Sequence, residues 1–164
     1  MPSDDLEARR LDLMTRSTTM TLATSADNRP WATDVYFVNV GYDLWFVSSS
    51  NSRHSANLKA NPRCAATIHA PARDWTEIRG LQFEGTAATA PATDTMRLLV
   101  PYFAKFPFAE AIYAGLRSGA GMTRMAVYKL ATERVWYIDN SLGFGSKTTC
   151  AIDGGEPLGE FEKT

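Results

Sequence analysis

The chain has 164 residues, 17 of them basic and 18 acidic, with a formal net charge of −1 and 45% hydrophobic side chains. That length suits about one domain, which buries roughly 70% of the surface its unfolded form exposes and needs no disulfide or metal staple. The balanced charge offers no broad basic field, which excludes nucleic acid as an expected partner. No apolar run nears the ~20 residues of a bilayer crossing, and the polar start is unlike a secretion signal, so a cytoplasmic protein without membrane contact is expected.

In chain order, Asp4-x-x-Glu7 reads as a capping box, and Leu6, Leu13 and Met14 recur at helical spacing, predicting a first helix over residues 1–16. Residues 18–24 are β-branched and apolar, residues 25–30 are turn chemistry, and residues 31–40 alternate as a second strand. Gly41-Tyr-Asp43 closes a hairpin onto a third strand over 44–49. A short helix over 52–60 precedes strands at 64–69 and 78–90, which a loop over 71–75 separates. Residues 93–105 are apolar at helical spacing, and Pro101 is predicted to kink or end that helix at Val100. Residues 108–116 form another helical stretch, and Ser118-Gly-Ala-Gly121 resets the chain. Residues 125–130 and 134–139 then predict a closing hairpin around Ala131-Thr-Glu133, with a glycine-rich, irregular tail over 141–164 that forms a loop or a partner contact.

Short strands with antiparallel connections predict a mainly β (α+β) domain spanning 1–164, a closed or partly closed barrel with peripheral helices. No Gly-x-Gly-x-x-Gly follows a strand and no Gly-Lys-Ser/Thr loop occurs, which counts against α/β nucleotide-binding folds. Cys64 and Cys150 are distant and form no Cys-x-x-Cys pair, so both are read as reduced thiols, Cys64 as a structural one, and no metal site is expected. No Gly-x-Ser-x-Gly accompanies the two histidines, so hydrolase chemistry is not expected.

The most informative stretch is Phe46-Val-Ser-Ser-Ser-Asn-Ser-Arg-His54. The strand gives way to small hydrogen-bonding residues, and Ser52 can cap the helix that follows, setting backbone N–H groups and the positive helix end beside Arg53 and His54. Ser48, Ser49, Ser52, Arg53 and His54 therefore read as a cradle for a small phosphate, and Lys59 on the same helix is long enough to be considered with them. Trp31, Trp45, Trp75, Trp136, Tyr36 and Tyr137 read first as packing residues, with Trp75 in a loop that could border a flat ligand.

This order of elements, with Pro30-Trp-Ala-Thr-Asp-Val35, the cradle segment, Asn57-Leu-Lys-Ala-Asn-Pro62 and Gly80-Leu-Gln-Phe-Glu-Gly85, resembles the FMN-binding split barrel of the pyridoxamine 5'-phosphate oxidase-like superfamily over residues 18–139. The resemblance implies a homodimer with a flavin between the subunits and a small-molecule redox substrate. It puts FMN phosphate on Ser48, Ser49, Ser52, Arg53 and His54, and the ring edge near Thr33, Asp34 and Val35. Gln82 is an amide partner for the ring in this reading, with Glu84 on the same strand face. His54 stands where the oxidases carry a second firmly basic residue, and residues 135–147 lack their Arg-x-His substrate clamp, which counts against pyridoxamine phosphate as substrate. Few acid–base motifs are needed, because a flavin itself accepts the hydride or electrons. Split barrels also host haem-binding relatives, so the alternative is a flavin or haem carrier without turnover. A deazaflavin is a narrower variant that uses the same phosphate cradle.

Overall fold

The computed structural model describes residues 3–117 and 125–164. A first helix, α1 (Ser3–Arg16), leads into β1 (Thr19–Ala26) and β2 (Arg29–Val40). Asp27 and Asn28 make the two-residue turn between these strands with φ of 51° and 57°, a left-handed pair whose twist matches the strands and which Asp and Asn tolerate better than most residues. Gly41, at φ 57°, opens the next hairpin into β3 (Asp43–Ser49). A side-chain-bearing residue would not fit there, since its Cβ would stand 2.3 Å from the Gly155 carbonyl oxygen.

After α2 (Arg53–Ala60) come β4 (Arg63–His69), β5 (Arg79–Thr89), α3 (Ala92–Lys105), α4 (Pro107–Arg117) and β6 (Met125–Asp139). The six strands are ordered β3-β2-β1-β4-β5-β6, all antiparallel, and β3 pairs back onto the first half of β6 to close the barrel. The second half of β6 leaves that seam and pairs with β7 (Lys147–Asp153), on which the short β8 (Glu156–Pro157) and β9 (Glu162–Lys163) lie. This divergence along one strand makes a split antiparallel β-barrel with peripheral helices, the expected fold class.

Period-two alternation fills the barrel with Met20, Leu22, Phe37, Phe46, Phe83 and Val135. On the other side of the sheet, Val38, Trp45 and Val127 are covered by Leu98, Leu99 and Tyr102 of α3.

Three sequence expectations are corrected, and the reset at residues 118–121 lies outside the described residues. The expected closing hairpin is one unbroken strand. Gly85 pairs with Thr132 and Glu84 with Arg134, which leaves Glu133 as an extra residue in a β-bulge, where it bonds Arg63 at 2.8 Å. Polar residues that resemble a turn thus mark a kink. Of the two outcomes expected at Pro101, the ending is overturned: the helix continues through it to Lys105, because the proline sits on the exposed face, where water can satisfy the carbonyl it leaves free, while Leu98, Leu99 and Tyr102 hold both halves to the sheet. Finally, the tail is structured. Lys-Thr-Thr-Cys-Ala-Ile-Asp buries Cys150 and Ile152 and caps the edge that β6 would otherwise expose.

Candidate functional site

Where β3 ends, the chain turns into α2 much as its residues require. Ser52 is the N-cap and accepts a hydrogen bond from the Ser55 amide at 3.2 Å, while the Ser55 hydroxyl donates to the Ser49 carbonyl at 2.7 Å. The Ser49 hydroxyl accepts from the Asn51 amide at 3.1 Å. Asn57, buried on the inner face of α2, donates to Thr24 of β1 at 3.1 Å and fixes the helix to the barrel end. No acidic residue occupies the first turn of α2, so its positive end faces no opposing carboxylate of its own.

The predicted cradle residues play different parts. Arg53 is exposed, and its guanidinium carbon lies 4.3 Å from the centre of the Trp31 ring. Among the described residues Arg9, Arg16, Arg63 and Arg79 are ion-paired to carboxylates, whereas Arg53 has no such partner. His54 turns inward to 8% exposure and its Nε2 lies 2.6 Å from the Ser48 hydroxyl, so these two side chains are engaged with each other. Burial also pushes the His54 imidazole below its ordinary value, which favours the neutral ring. His54 is therefore not the second cation suggested by its place in the sequence. Lys59 is exposed on the last turn of α2; six residues after Arg53 it lies ~9 Å along the axis and about 120° around it, away from the capped end.

Strand alternation divides the remaining candidates. Thr33 and Val35 face inward, with Val35 packed in the barrel core, so its side chain is a structural element rather than a ring contact. Asp34 faces outward and accepts from the Thr21 hydroxyl at 2.6 Å. On that outer face lies a groove of about 330 Å³ whose floor is Thr21, Ala23, Ala65 and Thr67 and whose sides are Gln82, Glu84, Trp136 and Lys147. Lys147 donates to the Gln82 amide oxygen at 2.8 Å and sits 5.5 Å from the centre of the Trp136 ring. Small side chains on adjacent strands leave room there for a flat group.

Trp31, Trp136 and Lys147 were not among the predicted site residues. Lys147 lies in the stretch read as irregular, and tryptophan on a strand ordinarily signals packing. Trp45 and Tyr137 are indeed buried, whereas Trp31, Tyr36 and Trp75 are exposed. Trp75 meets Phe144 edge to face at 5.6 Å in a surface knob. Among the described residues no group of three or more His, Cys, Asp or Glu side chains could hold a metal ion, and no helix is long and apolar enough to cross a membrane.

An antiparallel split barrel with a capped, cation-bearing helix start beneath one end defines the class to which this protein is assigned by fold. The chain belongs to the pyridoxamine 5'-phosphate oxidase family, whose model matches residues 6–139. A UPF0306 protein of Photorhabdus laumondii is 24% identical over 136 residues, covering 82% of this chain and 87% of the relative. Among solved structures, a heme-binding protein from Mycobacterium smegmatis superposes with a TM-score of 0.68 at 22% identity, over 92% of this chain and 59% of its own. HutZ, the heme storage protein from Vibrio cholerae, superposes with a TM-score of 0.64 at 21% identity, over 76% of this chain and 88% of its own. At these identities the superpositions establish shared fold alone.

Proposed function

We propose that this protein binds a flavin mononucleotide at an interface between two copies of the chain and works as an oxidoreductase on a small-molecule substrate. The observation that carries the reading is Arg53, an arginine without a carboxylate partner among the described residues, placed at the capped start of α2 in a chain of the pyridoxamine 5'-phosphate oxidase family. A phosphate suits this corner, because an unpaired guanidinium, hydroxyls and the positive end of a helix all favour a small dianion. Arg53 would hold the phosphate at the start of α2, where the Ser52 hydroxyl is already committed to capping through Ser55, and the pair His54–Ser48 would shape the turn behind it. The outward groove bounded by Gln82, Trp136 and Lys147 supports a flat ring system, with Gln82 already oriented by Lys147. Bound flavin would supply hydride and electron transfer. A deazaflavin carrying the same phosphate fits equally well.

The names of the two solved relatives favour a second reading, a haem carrier without turnover. Haem iron takes an axial donor, commonly an imidazole. Of the two histidines in the chain, His54 is engaged by Ser48, and His69 is exposed at the end of β4 on the groove side of the sheet. His69 is thus the imidazole that this reading would require.

Incubating the purified protein separately with FMN and with hemin discriminates the two. Flavin absorbance retained through gel filtration at dimer size, with affinity falling about tenfold in Arg53→Ala, supports the first reading. Turnover of NADH or NADPH by the flavin-loaded protein supports an enzyme. A Soret band lost in His69→Ala, with no uptake of flavin, overturns the flavin reading in favour of haem.

A further inference from the structure

We infer that Trp31 is a positioning residue that holds the Arg53 guanidinium for the phosphate, and so contributes to selecting phosphorylated flavin over riboflavin; this rests on the flavin reading above. Trp31 lies near the start of β2, just after the tight Asp27-Asn28 turn, and is 38% exposed rather than packed in the barrel. Its partner across the ladder is Thr24, the residue to which Asn57 of α2 donates its hydrogen bond. The indole and the start of α2 are therefore held in one frame by β1, although 22 positions separate Trp31 from Arg53 in the chain.

The contact differs in kind from the ion pairs of Arg9, Arg16, Arg63 and Arg79, and is shared only in type by the buried Arg10, whose guanidinium carbon lies 3.7 Å from the centre of the Phe161 ring. An ion pair would neutralise the guanidinium and use its N–H groups, whereas an aromatic face attracts the cation and leaves its charge available. Arginine also loses much side-chain freedom when it grips an anion, and a guanidinium already resting on a ring loses less on binding. Trp31 thus preorders a cation that would otherwise sweep through solvent. A purely structural role would make Trp31 a cover for α2, indifferent to whether the ligand carries a phosphate.

The test compares dissociation constants for FMN and riboflavin, measured by flavin fluorescence, in the wild type, Trp31→Leu, Trp31→Phe, Arg53→Ala and the Trp31→Leu/Arg53→Ala double variant. Expected in Trp31→Leu is a roughly two- to thirty-fold loss of FMN affinity with riboflavin affinity unchanged, and in Trp31→Phe a smaller loss. In the Arg53→Ala background, Trp31→Leu should add nothing. Equal losses for the two flavins, or independent losses that add in the double variant, overturn the positioning role. If Trp31→Leu does not fold, Trp31→Phe decides the same point by whether its loss is confined to FMN. Unchanged FMN affinity in Arg53→Ala would instead defeat the phosphate reading itself, whatever Trp31 does.

Discussion

The Ser48 hydroxyl and the His54 Nε2 atom lie 2.6 Å apart in the turn between β3 and α2. This hydrogen bond joins the end of a strand to the first turn of a helix, and it is made inside the protein.

Burial holds the His54 imidazole below its ordinary 6.5, so the unfolded chain takes up a proton before the folded one does. Where the unfolded state binds more protons, stability rises with pH. The His54 contribution is therefore complete above about pH 7 and is lost as pH falls from 6.5 through the lower folded value. Urea melts between pH 7.5 and 5 should show this decline, and His54→Gln should flatten it; an unchanged slope in that variant would assign the decline elsewhere.

Gly85 faces the Ala131 carbonyl oxygen so closely that an added Cβ would stand 2.1 Å from it. Backbone occupies that space on both strands, so the bulge would have to open rather than a side chain shift. Gly85→Ala should cost about 2–4 kcal/mol and lower the melting temperature by roughly 5–15 °C in a chain of this size. Differential scanning calorimetry measures this directly, and an unaltered transition would show that the seam yields easily.

Asp139 is 1% exposed and joins several elements: it accepts from the Tyr137 hydroxyl and from Ser141, and it pairs with Arg9 of α1 at 3.3 Å and Arg79 of β5 at 3.4 Å. Burial pushes its carboxyl up, but the bonds from Ser141 and Tyr137 and the charge of Arg79 outweigh this and leave it below its ordinary value. Its contribution is thus present above about pH 4 and disappears as pH falls through the folded value. Asp139→Ala should cost about 2–4 kcal/mol at pH 7, by urea titration, and progressively less as the pH is lowered below about 4.

Both thiols are buried, and burial pushes Cys64 up to about 12. Ellman's reagent should label neither cysteine in the native protein at pH 8, and both at once after unfolding in guanidinium. Fast labelling of one thiol before unfolding would show a local opening of β4 or β7.

Much of the fold was legible because its punctuation is chemical and local. Asp27-Asn28, Gly41 and Ser52 each impose a turn or cap through their own backbone or side-chain chemistry, and the alternation of Met20, Leu22 and Thr24 declares which face is inside. Glu133 and Pro101 misled for the same reason that those signals worked. Each carries the local chemistry of a break, and each is overruled by contacts from distant residues: Gly85 and Arg63 around Glu133, and the sheet beneath α3 for Pro101.

The amino-acid sequence by itself determined most of the elements along the chain, the barrel class, the phosphate-suited chemistry of the β3–α2 turn and the family to which the chain belongs. These depend on residue types at short spacing. Only the tertiary structure decided which of those residues turn inward and which stay exposed: it turned His54 inward onto Ser48, buried Val35, set Asp34 on the opposite face from Thr33, and laid Arg53 over Trp31. The physical reason is that pleating alternates neighbouring side chains between faces, while barrel closure brings remote strands and a helix start together; both are properties of pairing between segments, which no single stretch encodes.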